Sequence, residues 1–327
     1  MTDKKADALY GIVTRAQAGI YHVWHDGRLI ECSLRKKIKQ ELTREYKGQK
    51  KPIFTDPVAV GDEVMITAAE GGSGAIEAIM PRRSKLFRRA AGPMPLEQVL
   101  VANADQLVIV LSTKMPNFKI RLLDRFLIVA EAGKLEPIIC INKMDLLGDE
   151  EIDNLRQKTQ VYENLGYKTI YTSALKKEGL ETFADLMKGK LSALAGPSGT
   201  GKTTRLNVIQ PGLQLRVSEV SIKKQKGKHT TSSVQLHPLD FGGYVVDTPG
   251  IRELGLWEVW QEEMELYFPE IRPLIGSCKF SNCSHIHEPE CAVKKAVTQG
   301  KINEARYKSY VRLRLGTSRN EFEEAEE

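Results

Sequence analysis

PIICINKMD, residues 137–145, is the stretch on which the fold turns. Its apolar first half reads as a buried strand. It ends in Asn142-Lys143-Met144-Asp145, an N-K-x-D pattern whose chemistry suits guanine. The Asp145 carboxylate can accept two hydrogen bonds, from guanine N1–H and the exocyclic amine. Adenine offers no such donor pair and would leave a buried carboxylate unsatisfied. Asn142 would contact the other side of the purine, and the Lys143 stem would cover one ring face. One strand further on, KTIYTSA closes with Thr172-Ser173-Ala174, whose backbone N–H groups, those of Ser173 and Ala174 among them, could bond the guanine carbonyl oxygen.

A phosphate-binding loop normally precedes such a base reader, and here none does. The candidate comes later, as GPSGTGKTT at 196–204: Gly196, Pro197, Ser198, Gly199, Thr200, Gly201, Lys202, Thr203 and Thr204. It fits G-x-x-x-x-G-K-[ST] in the context that motif needs, a strand (KLSALAG) before and a helix start (KTTRLNVI) after. Glycines let backbone N–H groups turn inward around phosphate oxygens, and the following helix points its positive end at the same anion. Lys202 would reach the terminal phosphates and the Thr203 hydroxyl would hold Mg²⁺. The strand GYVVDTPG then supplies Asp247 to the Mg²⁺ shell through water and the Gly250 N–H to the γ-phosphate. Between them, GKHTTSS carries Thr230 and Thr231, one of which would coordinate Mg²⁺ and sense the γ-phosphate.

The five working parts of a GTPase are therefore present in a rotated order: base reader, base support, phosphate loop, first switch, second switch. Loops at the carboxyl ends of a parallel sheet can line one crevice whichever of them the chain enters first, so a circularly permuted GTPase is expected. In Ras-type enzymes a glutamine after the second switch turn orients the attacking water. Ile251 stands at that place here and cannot hydrogen-bond; His229, just before the switch threonines, is the best candidate to act instead.

Outside these motifs the chain changes style twice. Residues 1–83 alternate in strand fashion between glycine turns and predict a small OB-like β-barrel with a basic insert, RKKIKQELTREYKGQKK, at 35–51. Residues 84–258 alternate nearly all-apolar strands with helices, the pattern of a parallel sheet covered on both faces, α/β in class. Residues 259–327 read as mostly helical, are interrupted by CKFSNCSHIHEPEC, and end in an acidic tail. Of the five cysteines in the 327 residues, three cluster there. Cys278, Cys283 and Cys291 with one of His285 or His287 would make a closed, tetrahedral, structural Zn²⁺ site. The net charge of +6 is modest, but basic residues gather at 35–51, 81–89 and 223–229 and in the late helix, where Lys294, Lys295, Lys301, Arg306, Lys308, Arg312 and Arg314 interleave with Tyr307 and Tyr310. A barrel with a basic loop and such a helix suit RNA. No apolar run approaches the length of a membrane span, and MTDKKADALYG has no apolar stretch of signal-peptide type, so a cytoplasmic protein is expected.

Taken together, the permuted motifs, the barrel and the cysteine cluster resemble the RsgA/YjeQ family of small-ribosomal-subunit-dependent GTPases over nearly the whole chain. The phosphate loop departs mildly, since the family commonly has valine and serines where GPSGTGKTT stands; Thr203 keeps the hydroxyl. The resemblance implies a catalytic role for His229, the histidine of a G-x-H-T-T motif, and Zn²⁺ ligation by Cys278, Cys283, His285 and Cys291. It also implies binding of GTP and GDP with Mg²⁺, and binding to the small ribosomal subunit and its rRNA during late maturation, with the subunit stimulating hydrolysis. No membrane partner is implied, and a monomer is expected when free.

Overall fold

The computed structural model describes residues 9–38, 53–54, 56–68, 72–89, 96–213, 234–247 and 261–316. His229, Thr230, Thr231 and Gly250 lie outside the described residues, as do most of the basic insert and the acidic tail; of Asp247 only the backbone is described.

The first strands, β1 (Leu9–Gln17), β2 (Ile20–His25) and β3 (Arg28–Leu34), form a meander. Its two hairpins turn on two-residue loops, Ala18-Gly19 and Asp26-Gly27, with positive φ at all four residues. That is the turn whose twist matches paired strands. After β4 (Ile53–Phe54) come β5 (Glu63–Ala68) and β6 (Ser73–Ile79). β3 pairs in parallel with β6, β6 with β5, and β5 back onto β1, so the five strands close around Val13, Val23, Val64, Ile66 and Ile76. This is the OB-like barrel the alternation predicts.

A hairpin of β7 (Lys85–Arg89) and β8 (Leu96–Ala102), with β4 beside β8, makes a small second sheet. The sequence predicts only strand–helix alternation here; KLFRR carries three cations and lacks the apolar signature of a buried strand.

The nucleotide-type sheet follows. β9 (Gln106–Ser112), β10 (Glu136–Asn142), β11 (Lys168–Thr172), β12 (Leu191–Ala195) and β14 (Tyr244–Asp247) run parallel in the order β11-β10-β9-β12-β14, and β13 (Gln235–Pro238) adds antiparallel at the edge. β13 also pairs with β1 at Arg15 and Gln235, which joins barrel and sheet. Every residue of β9 and β12 is buried. Helices α1 (Ile120–Gly133), α2 (Asp149–Asn164), α3 (Leu180–Met187) and α4 (Lys202–Ile209) follow β9, β10, β11 and β12. Apolar cores lie on both faces of this sheet.

α1 reads as amphipathic in the sequence, yet Leu123 to Ala130 are all buried, Asp124 and Arg125 included. Its outer face is covered by the C-terminal region, where Ile128 joins Met264, Phe268, Ile271, Cys283, Cys291 and Tyr310 in one cluster. That region contains α5 (Ala292–Thr298) and α6 (Glu304–Leu315), the latter capped by the Asn303 side chain on the Ala305 and Arg306 N–H groups.

Candidate functional site

The carboxyl ends of β10, β11 and β12 converge on one edge of the sheet. Asn142 is the last residue of β10 and stands in register with Ser112 of β9 and Thr172 of β11. The loop 196–201 leaves β12 and enters α4 at Lys202. Gly196 has φ +130°, and a Cβ there would stand 2.0 Å from the Val110 carbonyl oxygen. Gly201 has φ +88°, and a Cβ there would meet Asn142 Nδ2 at 2.5 Å. Only glycine allows this approach.

The two separated motifs touch directly. Asn142 Nδ2 donates to the Thr200 carbonyl at 2.8 Å. Asn142 Oδ1 accepts from the Thr172 hydroxyl at 3.1 Å, so both ends of the buried amide are satisfied. Asp145 accepts from the Ser173 hydroxyl at 2.5 Å, which aims a half-buried carboxylate from a short helical turn after the left-handed Lys143. Adjacent hydroxyls at the end of β11 thus hold the Asn142 and Asp145 side chains. From sequence, Thr172-Ser173-Ala174 is expected to act through its backbone; the side-chain role follows from the parallel register, which pairs residues distant in sequence. Lys143 Nζ donates to the Met115 carbonyl, and burial lowers its ammonium from the ordinary value against the opposing charge of Asp145.

In the phosphate loop, Lys202 Nζ donates to the carbonyls of Gly196 and Pro197, each at 2.7 Å, which holds the ammonium across the loop's mouth. Thr200 is buried, and its hydroxyl donates to the Pro197 carbonyl at 3.0 Å, bracing the turn. Ser198 and Thr204 are exposed, and Thr203 is half-buried at the second residue of α4. Asn142, Lys143 and Asp145 offer polar groups suited to a purine, and the N-terminus of α4 offers N–H groups and a helix dipole that favour anions.

A second cluster gathers Cys278, Cys283, His285 and Cys291, whose ligand atoms all lie within 4.8 Å of one another. Cys278 Sγ is 3.8 Å from Cys291 Sγ, and each of these sulfurs is 3.5 Å from His285 Nδ1. A tetrahedron with zinc–sulfur bonds of about 2.3 Å and a zinc–nitrogen bond of about 2.0 Å has edges of about 3.8 and about 3.5 Å. The donor set and its spacing therefore fit Zn²⁺. His285 Nε2 lies 3.1 Å from Glu265 Oε2, a carboxylate that would orient a metal-bound imidazole. His287 is exposed and stands outside the group.

The late helix differs from its sequence reading. Arg306 and Tyr310 are buried, the Tyr307 and Tyr310 hydroxyls donate to the carbonyls of His285 and Ser284, and Arg314 donates to the Glu262 carbonyl. These residues tie α6 to the cysteine loop, to the turn at 261–267 and, through Arg306 and Asp124, to α1 rather than facing outward. Lys295 and Lys301 are exposed, as are Arg28 and Lys36 on the barrel. No described helix is long and apolar enough to cross a membrane.

Comparison with known proteins agrees with this geometry. The family model described as RsgA GTPase matches residues 79–257. The chain is 42% identical over 287 residues to the small ribosomal subunit biogenesis GTPase RsgA of Thermotoga maritima, covering 88% of each chain. Its identity to the protein of the same name in Gemmatimonas aurantiaca is 41% over 307 residues, covering 93% of this chain and 96% of that one. Among solved structures, YjeQ from Thermotoga maritima superposes with a TM-score of 0.73 at 37% identity, covering 94% of this chain and 98% of that one. YloQ, a circularly permuted GTPase, superposes at 0.70 and 31%, covering 97% of each.

Proposed function

The chain belongs to the RsgA GTPase family and is a GTP hydrolase, and from that premise we propose that it acts in late maturation of the small ribosomal subunit, hydrolysing GTP to GDP and phosphate at a rate the subunit raises. The observation that supports the site assignment is the 2.8 Å bond from Asn142 to Thr200, which joins segment 142–145 to the phosphate loop despite their inverted order.

In this reading Asn142, Lys143, Asp145, Ser173 and Ala174 hold guanine. Residues 196–204 and Gly250 hold the phosphates, with Lys202 at the β- and γ-phosphates. Mg²⁺, held by Thr203, Asp247 and either Thr230 or Thr231, would neutralise charge on the phosphates as the γ-phosphoryl leaves. His229 orients the attacking water in place of the missing glutamine. Zn²⁺ on Cys278, Cys283, His285 and Cys291 closes the C-terminal fold. The barrel and the exposed lysines meet rRNA through phosphate contacts, so the association weakens steeply with salt. The protein works in the cytoplasm, where ribosomes are assembled.

GTP turnover measured with and without purified small subunits tests the proposal. Turnover that rises on adding subunits supports it; turnover indifferent to them removes the assembly role. His229→Ala should keep GTP affinity and lose most of the stimulated turnover, and an unchanged stimulated kcat would reassign the water-orienting role.

A further inference from the structure

Arg205 lies in α4, three residues past the phosphate-loop lysine, and is completely buried. Its Nη1 donates to the Thr172 hydroxyl at 3.1 Å, and its guanidinium carbon sits 5.3 Å from the centre of the Phe183 ring. Nε and Nη2 have no hydrogen-bond partner, and no carboxylate pairs with this cation among the described residues. A buried guanidinium with two unmet donors costs stability. The bond it does make is therefore informative.

Thr172 Oγ1 has four polar neighbours, of which the Ile141 carbonyl at 3.5 Å and Cys140 Sγ at 3.7 Å are the more distant. It accepts from Arg205 Nη1, and it lies 3.1 Å from Asn142 Oδ1. Asn142 Nδ2 in turn reaches the Thr200 carbonyl. An amide has two unlike ends. A cation behind Thr172 favours the oxygen end of Asn142 on that side and leaves the –NH₂ end for Thr200. The reversed amide would set Oδ1 against the Thr200 carbonyl, oxygen against oxygen. Arg205 thus stands at one end of a chain, Arg205–Thr172–Asn142–Thr200, that starts in the phosphate-loop helix and returns to the phosphate loop through the base reader.

We propose that Arg205 is a positioning residue for nucleotide binding, fixing the Asn142 amide through the Thr172 hydroxyl so that base reader and phosphate loop are held together before ligand arrives. The proposal rests on the reading of Asn142 as a guanine contact. Arg205 touches neither base nor phosphate in this account; it acts through Thr172.

The test is equilibrium titration of GDP and of inosine diphosphate, which lacks the 2-amino group, on the full-length protein and four variants: Arg205→Met, Thr172→Val, Asn142→Ala and Arg205→Met with Asn142→Ala. Loss of one oriented buried hydrogen bond should weaken GDP binding about 5- to 30-fold in Arg205→Met. Thr172→Val should do likewise, which keeps the test alive if the first variant folds poorly. The ratio of GDP to inosine diphosphate affinity should stay at the wild-type value, because Asp145 sets it. Arg205→Met should cost nothing further once Asn142 is Ala, and it should leave the Tm of the nucleotide-free protein unchanged or higher. Losses that multiply in the double variant, or a wild-type GDP affinity in both Arg205→Met and Thr172→Val, overturn the proposal. Wild-type GDP affinity in Asn142→Ala alone would instead remove the base-reading assignment beneath it.

Discussion

Arg205 and Arg306 are both buried, and the company each keeps is opposite. Arg306 donates through Nη1 to Asp124 at 2.5 Å and through Nε and Nη2 to Glu270 at 2.7 and 3.2 Å, with the rings of Phe268 and Tyr162 4.6 and 5.4 Å away. Asp124 also accepts from the Tyr162 hydroxyl at 2.7 Å. This guanidinium, from α6, is surrounded by anions and aromatic faces from the C-terminal region and the sheet's own helices, and it clamps the two together. Arg205 has one hydroxyl and one ring. Two regions of one molecule thus bury the same cation to different ends: at the C-terminal region it secures architecture, and beneath the nucleotide site it orients an amide at some cost to stability.

The surroundings explain why the clamp is needed. The sheet around Arg205 is sealed by fully buried apolar strands. Among its described residues the C-terminal region has α-helices of seven and twelve residues, and two of its core members, Cys283 and Cys291, belong to the metal cluster. Removing zinc should have the largest effect of all, since structural zinc contributes about 10–16 kcal/mol in small metal-dependent folds. Chelation, or Cys283→Ser, should abolish hydrogen-exchange protection across 261–316 while the strands of 96–213 stay protected. Equal loss in both would show that the sheet depends on the C-terminal region more than the packing implies. Next in size, Arg306→Met should destabilise by about 3–5 kcal/mol, because it leaves Asp124 and Glu270 buried without a counter-charge. Denaturant unfolding followed beside Arg205→Met would sharpen the contrast: a large loss for the first and none for the second. Similar losses would break it. The smallest effect belongs to a half-buried charge at the start of β10. Lys168 first, then Lys190, hold the Glu136 carboxyl below its ordinary value against a smaller opposing effect of burial. Its stabilisation is therefore present at neutral pH and lost as pH falls through that lowered value. Glu136→Gln should cost less than about 1 kcal/mol at pH 7, because solvent screens the group, and the gap to wild type should close in acid.

Much of the site was legible because its chemistry is local. NKMD and GPSGTGKTT each place several functional groups within a few residues, and the strand–turn–helix context can be read from the same segment. That glycine turns punctuate the barrel strands was legible for the same reason, as was the cysteine spacing. What escaped depends on partners far apart in sequence. The late helix looks like a basic, tyrosine-studded RNA face, but the carboxylates that claim Arg306 lie at 124 and 270. Asp124 itself looks like the wet side of an amphipathic helix, since period alone does not say what will cover that side. Arg205 follows the phosphate loop as an ordinary helix residue, and only the register of β10 with β11 brings Thr172 over it. β7, β8 and β13 were missed because pairing in a small sheet or at an edge tolerates charge and brevity that a buried parallel strand does not.

One titration bears on the centre of the account, that a reversed order of motifs builds a single guanine nucleotide site. In Asp145→Asn the carboxylate that accepts from guanine N1–H and the 2-amino group is gone, while the amide can donate to a xanthine carbonyl. Titrated with GDP and xanthosine diphosphate, the variant should lose at least about a hundredfold in GDP affinity and come to prefer the xanthine nucleotide. A variant that still bound GDP as tightly as the wild type and ignored xanthosine diphosphate would mean that Asp145 reads no base, and that the contact between 142–145 and the phosphate loop serves only the fold.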